Sequence, residues 1–464
     1  MRTTTDLCVL GSGAVGQIVA YAGRKAGLSV TLIENAPPGG TCPNRGCDAK
    51  KPFVNAALMA HRVNALAAAG GGVAPTTIDW AQIAAFKKSF TDPVGRLTTK
   101  DLRDAGVELL DATPRFIDAQ SVAAGGHTVT ADRFVIATGR RPRPLDVPGG
   151  ELTVDSDAFL DLDDLPPRVA FIGGGYIGME FACAAAVAGR AVTVVTPDDH
   201  VLKGFDPDVV ATLEAGLPGL GPHGVRVIHQ RRVGSVTKCA EGLTVHADDD
   251  DATALVTTDL AVNTTGRIAS LQDLNLEAAG VEASPRGVVV DAHLRSVGNP
   301  RVWAGGDVVH GDRPPLIPTA IEDGRTLKHN LFSADGGGEL KTRSDTPPAS
   351  VAFTVPPVAG VGMTEAQARS AHGDGIRVIA THLSTKKFFR QLGQEHASYK
   401  LIFDADEQLT GAHLVGESAD EVINVFALAL GQRCDGDSLC NATLTYPSVT
   451  AALQTAFRKS TKRL

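Results

Sequence analysis

The pattern Gly11-Ser12-Gly13-Ala14-Val15-Gly16 lies between an apolar run, Asp6-Leu7-Cys8-Val9-Leu10, and a helical stretch reaching about Ala26. Ser29 to Ile33 reads as a second strand, and it ends at Glu34, 18 residues after Gly16. Strand, glycine turn, helix and acid-terminated strand together form the βαβ unit that cradles a dinucleotide. Gly11, Gly13 and Gly16 permit a tight turn and close approach of a pyrophosphate, whose charge then meets the helix N-terminus. Glu34 is placed to bond an adenosine ribose hydroxyl.

The unit occurs twice. Arg168-Val169-Ala170-Phe171-Ile172 leads into Gly173-Gly174-Gly175-Tyr176-Ile177-Gly178, a helix follows to about Ala188, and Ala191 to Val195 is the next strand. Each copy is followed by an apolar strand ending at a Thr-Gly turn: Phe134 to Ile136 before Thr138-Gly139, and Leu260 to Val262 before Thr265-Gly266. The expected fold is therefore α/β, with two Rossmann-like dinucleotide-binding domains in one chain.

Between the copies lies Gly39-Gly40-Thr41-Cys42-Pro43-Asn44-Arg45-Gly46-Cys47-Asp48-Ala49-Lys50-Lys51. The segment is expected to open a helix, whose N-terminal partial charge favours thiolate over thiol. Two cysteines held there can cycle between dithiol and disulfide; the plain alternative is a pair of buried structural cysteines. Two nucleotide sites and a cysteine pair imply an electron relay, in which a nicotinamide gives hydride, a flavin accepts it and a disulfide takes the electrons.

Composition narrows the setting. The chain has 464 residues, enough for about three domains. A net charge of −8 argues against a nucleic-acid partner. No apolar run approaches the ~18 residues of a membrane span. Met1 to Asp6 runs straight into a strand without the features of a signal peptide, so a cytoplasmic enzyme is expected. Seven cysteines are too few, and an odd number, for a secreted disulfide scaffold. No Cys/His cluster suggests a metal site.

With these motifs the chain resembles the flavoprotein pyridine nucleotide–disulfide oxidoreductases, among them glutathione reductase, dihydrolipoamide dehydrogenase and mercuric reductase. The resemblance implies FAD at the first fingerprint, NAD(P)H at the second, and a C-terminal α+β interface domain that forms a homodimer. Val302-Trp303-Ala304-Gly305-Gly306-Asp307-Val308 resembles the second FAD motif, with Asp307 on a ribityl hydroxyl. Leu316-Ile317-Pro318-Thr319-Ala320 resembles the segment under the flavin ring. Phe353 to Glu365 and Gly411 to Gly416 resemble parts of the interface domain. The implied FAD-binding (return) segment is 273–335, after an FAD domain 1–150 and an NAD(P) domain 151–272; the dimerisation domain is 345–464.

The resemblance also implies roles. Cys47 is the flavin-proximal thiol and Cys42 the interchange thiol that attacks a small or protein-bound disulfide. Lys51 stands beside the flavin and Glu180 is its ion-pair partner; an exposed Lys and a surface Glu are the alternative. Tyr176 covers the nicotinamide pocket, or simply packs helix against sheet. Gly40, Thr41, Thr138, Gly139, Ala320, Gly175 and Gly266 belong to the nucleotide-binding set.

The sequence departs from the family near the C-terminus. The disulfide reductases carry His-Pro-Thr, with a Glu four residues after the Pro. Here the segment reads Thr445-Tyr446-Pro447-Ser448-Val449-Thr450-Ala451, so Tyr446 takes the His position and Ala451 the Glu position. A phenol with a reference pKa of about 10 donates a proton but is a poor base at neutral pH. The pattern leaves open an interface role for Tyr446, and a non-disulfide acceptor such as a quinone, metal ion or oxygen. A redox-sensing flavoprotein without turnover is a third reading. Arg45, Asp48 and Lys50 replace uncharged residues around the cysteines and push thiol acidity in opposing directions. The C-terminal Cys pair of mercuric reductases is absent from Ser460-Thr461-Lys462-Arg463-Leu464, and Cys434 and Cys440 read as structural.

In the second copy the position of Glu34 falls on Thr196. The missing acid weakens strict NADH use, but no Arg takes its place. Lys203 could meet a 2′-phosphate or be a solvated charge, so the donor stays NAD(P)H. Asp248-Asp249-Asp250-Asp251 reads as a solvated turn, Asp335-Gly336-Gly337-Gly338 as a linker, and Lys386, Lys387 and Arg390 as an exposed basic face around Phe388 and Phe389.

Overall fold

The computed structural model describes residues 1–333, 338–344 and 346–461. The expected linker residues Asp335 to Gly337 and the terminal Lys462 to Leu464 lie outside them. The chain forms two compact units. One comprises Met1–Lys51, Phe86–Arg143 and Arg267–Asp345; the other comprises Pro52–Ala85, Pro144–Gly266 and Thr346–Leu464.

The first unit is built on a seven-stranded sheet. Strands Glu108–Asp111, Val30–Glu34, Arg2–Leu10 and His127–Ile136 run parallel, and Val302–Ala304 pairs parallel with the last. Ser121–Ala124 and Arg115–Asp118 extend it antiparallel. Leu7 to Leu10 are wholly buried because both faces of a parallel sheet are covered. Successive side chains point to opposite faces. Leu7 and Val9 join Val15 and Val19 of the helix Ala14–Lys25, together with Leu327 and Leu331 of the helix Ile317–Ser333. Cys8 and Leu10 join Phe116 and Phe134 on the other face.

The second unit contains a five-stranded parallel sheet in the order Val225–Ile228, Ala191–Val195, Arg168–Ile172, Leu260–Asn263, Val154–Asp155. The helix Tyr176–Val187 is buried from Gly178 onward, as its sequence, apolar all round except for Glu180, requires. A three-stranded antiparallel sheet of Val233–Cys239, Gly242–Ala247 and Ala254–Thr258 carries Asp248 to Asp251 in an exposed turn. Its C-terminal part holds an antiparallel sheet in the order Ser350–Ala352, Val358–Gly362, Leu409–Val415, Ser398–Phe403, Arg377–His382. The helix Ala419–Gly431 packs on it, and Cys434 and Cys440 are half-buried against the same core. Phe389 is buried there too, while Lys386 to Arg390 carry the basic face.

Lys400 lies at the heart of this unit, 3% exposed. Its Nζ donates to Asp206 Oδ1 at 3.0 Å, Asp208 Oδ2 at 2.6 Å and Glu365 Oε2 at 2.8 Å. Asp206 also caps the helix Pro207–Gly216, accepting from the Asp208 N–H. Nearby His413 is buried; its Nε2 meets the Met363 carbonyl at 2.9 Å, and its Nδ1 has no partner among the described residues.

Candidate active site

The two glycine turns are built alike. Gly11 has φ +103°, and a Cβ there would sit 2.5 Å from the Ala137 carbonyl oxygen. Gly173 has φ +113°, and its Cβ would sit 2.5 Å from the Thr264 carbonyl oxygen. A side chain is barred by backbone at both, so each turn presses on the strand that follows in its own unit. Gly11 N–H donates to Ile33 O at 2.9 Å and Gly173 N–H to Val195 O at 2.8 Å.

The acid end of the first copy is firmly held. Glu34 Oε2 accepts from Ser12 N–H at 2.8 Å and Ser12 Oγ at 2.7 Å. Oε1 accepts from the N–H groups of Asn35 and Ala36 at 3.0 and 3.1 Å. Ser12 Oγ in turn accepts from Gly39 N–H at 3.0 Å, which ties the fingerprint to the cysteine segment. Gly40, at φ +79°, would drive a Cβ to 2.5 Å from Gly13 Cα. Asn44 Nδ2 donates to Gly40 O at 2.9 Å, closing the turn before the cysteines.

Cys42 sits in a one-turn helix, Thr41–Arg45, and Cys47 opens the long helix Cys47–Ala68. The two form no disulfide here; Cys42 is half-buried and Cys47 exposed. They are hydrogen-bonded to each other, and this contact first, with burial second, pushes the Cys42 thiol well above its usual range. The Asp48 charge adds to the rise, while the Asp48 N–H opposes it. The expected thiolate preference therefore does not hold for Cys42 in the dithiol. A five-residue helix carries little dipole, and its partner sulfur competes for the proton. Lys50 is buried, whereas Lys51 is half-buried.

A cleft of about 280 Å³ runs beside this pair, lined by Gly13, Gly39, Thr41, Cys42, Gly139 and Asp307. Ala320, in the helix Ile317–Ser333, closes one wall. Burial holds the Asp307 carboxyl above the usual range, opposed by the charges of Arg140 and Arg267. Such a carboxyl gains from a hydroxyl donor. Arg140 Nε donates to Asp307 O at 2.9 Å, and Gly306 N–H donates to Asp323 Oδ2 at 2.8 Å. Buried Asp323 takes Arg343 in a bidentate pair, both bonds 2.9 Å. Thr138 Oγ1 donates to Ser270 O at 2.9 Å, and Gly139 has φ +63°. A glycine wall, a sulfur wall and a carboxyl seeking a donor suit a flavin dinucleotide, so the residues fit FAD.

In the second unit, Thr264 Oγ1 donates to the Ile172 and Gly173 carbonyls at 3.0 and 2.9 Å. Gly175 precedes and Gly178 lies within the helix Tyr176–Val187; Tyr176 is at its exposed end. Gly266, at φ +119°, ends the Thr-Gly turn. Thr196 is buried at the strand end, and Lys203, largely exposed, is paired to Asp198 at 2.8 Å. Glu180 is 1% exposed, and its Oε1 accepts from Phe353 N–H at 2.9 Å. Tyr446 is 80% exposed and Ala451 is buried. Among the described residues no group of three His, Cys, Asp or Glu gathers to hold a metal, and no helix is long and apolar enough to cross a membrane.

Ser12, Asn44, Asp323 and Arg343 were not singled out from the sequence. Ser12 had a signal, a small polar residue inside the glycine turn facing the terminal acid. Asp323 and Arg343 are 20 positions apart and gave none.

Comparison with known proteins follows this geometry. The family model described as pyridine nucleotide-disulphide oxidoreductase matches residues 5–324, and the dimerisation domain of the same description matches residues 348–457. A glutathione reductase of Nostoc sp. is 31% identical over 443 residues, covering 92% of this chain and 93% of that enzyme. The mitochondrial thioredoxin reductase 2 of Drosophila melanogaster is 32% identical over 474 residues, covering 96% of this chain and 90% of that enzyme. Among solved structures, the Cu(II) complex of the HOCl-induced flavoprotein disulfide reductase RclA from Escherichia coli matches with a TM-score of 0.86. It is 25% identical and covers 98% of this chain and 99% of that one.

Proposed function

Because the chain belongs to the pyridine nucleotide-disulphide oxidoreductase family, we propose that Cys42 and Cys47 carry electrons from NAD(P)H, by way of FAD, to a disulfide substrate. The enzyme is an FAD-dependent NAD(P)H oxidoreductase acting on sulfur groups. When bound, FAD supplies a ring that takes hydride from a nicotinamide and returns the electrons to sulfur. The observation that carries the assignment of the pair is the Cys42–Cys47 thiol contact at the wall of the Gly13–Asp307 cleft.

The thiol steps balance. Cys42, as thiolate, attacks one sulfur of the substrate, breaking its S–S bond and releasing one thiolate that takes a proton. Cys47 then attacks Cys42 Sγ, releases the second substrate thiolate to a second proton, and leaves the Cys42–Cys47 disulfide. A hydride from NAD(P)H, which carries two electrons and one proton, and a second proton from solvent would restore the dithiol. When FAD is bound, Asp307 would hold a ribityl hydroxyl, and Glu34, each of whose oxygens already accepts two donors, would take a ribose hydroxyl by sharing an occupied lone pair. Lys51 would serve the flavin and Glu180 the nicotinamide side of the relay, Gly173, Gly175 and Gly178 would carry the second pyrophosphate, and Tyr176 would cover the nicotinamide. Ordinary family acid–base chemistry has no His here; Tyr446 can donate a proton to a departing thiolate but accepts one poorly.

This reading makes the protein a cytoplasmic homodimer, and the dimerisation-domain match supports the second part. A second reading keeps the relay but ends it on a metal ion such as Cu(II). Tyr446 in place of the His, and the likeness to a reductase solved as a Cu(II) complex, favour it.

The test reduces the flavin-loaded enzyme anaerobically with NADH or NADPH and alkylates it. Peptide mass spectrometry is expected to find Cys42 labelled only after reduction. Turnover is then followed with small disulfides, lipoyl protein, quinones and Cu(II). Full disulfide reduction by Cys42→Ser would overturn the assignment.

A further inference from the structure

Resting on the reading of the second fingerprint as the nicotinamide-nucleotide site, we propose that this site selects NADH over NADPH, with Asp198 as the specificity-determining residue. Asp198 occupies Lys203 and sets negative charge where a 2′-phosphate would enter.

The two copies of the fingerprint show the point by contrast. Where the first ends in Glu34 held by Ser12, the second ends in Thr196 facing Gly174; a Cβ on Gly174 would lie 3.1 Å from Thr196 Cβ. Thr196 is 1% exposed, so it forms the floor of the pocket rather than a contact. The next polar side chain along the loop is Asp198. Its N–H donates to Thr196 Oγ1 at 3.3 Å, and its carbonyl accepts from Gln230 N–H at 3.0 Å, which pins it to the strand end. Lys203 Nζ donates to Asp198 Oδ1 at 2.8 Å, with the two side chains 75% and 32% exposed. The cation nearest in sequence to the 2′ position is thereby already neutralised.

The neighbouring cations are offset as well. Arg231 N–H donates to Thr196 O at 3.0 Å, so this residue stands beside the same strand end. Its charge helps to hold the Asp249 carboxyl low, after the Thr253 N–H. Arg232 O accepts from Asp248 N–H at 2.8 Å, which anchors the four-aspartate turn to this segment. Asp198 faces Lys203 and Asp249 faces Arg231, while Asp248, Asp250 and Asp251 add negative charge in the same exposed turn. A phosphate monoester carries about −1.5 to −2 at pH 7, and like charge disfavours its entry. NADH presents a neutral hydroxyl at the same place.

Calorimetric titration of the flavin-loaded enzyme with NAD⁺ and with NADP⁺ tests this without turnover. NAD⁺ is expected to bind at least tenfold tighter, and the gap to narrow as ionic strength rises, because screening weakens the repulsion. Asp198→Asn keeps the N–H to Thr196 and is expected to lower the NAD⁺/NADP⁺ affinity ratio at least tenfold. Adding Lys203→Ala takes back part of that shift. Equal or tighter binding of NADP⁺ by the unaltered enzyme, or an unmoved ratio in Asp198→Asn, overturns the proposal. Binding of neither nucleotide overturns the assignment of the nicotinamide site itself.

Discussion

Lys400 and Asp206 form an ion pair almost wholly out of water, 3% and 0% exposed, with Nζ 3.0 Å from Oδ1. Removing the cation strands a buried carboxylate. Lys400→Met is expected to cost about 3 kcal/mol, at the low end for a broken buried pair, because Asp206 keeps the N–H groups of Asp208 and Glu365. Urea unfolding followed by far-UV circular dichroism reads the loss.

The same cluster sets the pH response. Asp206 is held below its usual 3.8 by the Glu365 N–H and Lys400 against burial, and Glu365 below its usual 4.5 by Lys400 and Arg369. Depressed carboxyls stabilise above their unfolded values and lose that as pH falls through the folded ones. Burial lowers His413 below 6.5, so the unfolded chain takes up a proton the folded chain resists. Lys400 is raised above 10.5 by its three carboxylates despite burial, which protects up to that pH. Melting temperature is expected to be level from about pH 7 to 10, to fall below 6.5, and to fall more steeply below about 4. His413→Gln is expected to reduce the first decline, to which His61, also lowered by burial, contributes the rest, and to spare the second, as scanning calorimetry across pH would show.

Asp323 joins Gly306, beside Asp307, to Arg343. Asp323→Ala leaves the Gly306 N–H and the guanidinium without their acceptor, at roughly 1–3 kcal/mol for each stranded group. The expected result is a lowered ratio of flavin to protein after gel filtration. Asp323→Glu restores the charge and is expected to recover part of it.

Restoring a base at the C-terminal site should raise disulfide turnover. Tyr446→His is expected to increase kcat/KM for small disulfides about tenfold near pH 7, below the ~10²–10⁴ available to a well-placed base because the new imidazole lacks an orienting acid. The site is exposed, so the change is structurally mild. Pairing it with Ala451→Glu adds the orienting acid, at the cost of placing a carboxyl on a buried position. Unchanged kcat/KM in both variants would show that Tyr446 does not stand at the transferring sulfur.

Much of this was legible beforehand because its signals are local. A glycine turn between two apolar strands announces itself within 30 residues, and both copies, Gly11 to Glu34 and Gly173 to Thr196, form the βαβ units expected. The rest is held by distant partners. Lys400 finds Asp206 across 194 positions, and nothing around either suggests a buried charge. Lys203 was left open between phosphate and solvent; the choice of Asp198 depends on how the loop is pinned to Gln230, which spacing does not encode. The Cys42 thiol departs from expectation chiefly because it is hydrogen-bonded to Cys47 and partly buried, which no local pattern encodes.

The two glycine turns have one further consequence, for residence time. Glu34 is locked by four donors, one of them from the hydroxyl that also anchors the cysteine segment. Thr196 is buried and bears no acid, and the partly exposed Asp198–Lys203 pair stands beyond it. One fold motif, used twice, thus furnishes a berth suited to a tenant that stays and another suited to a visitor that leaves after every cycle.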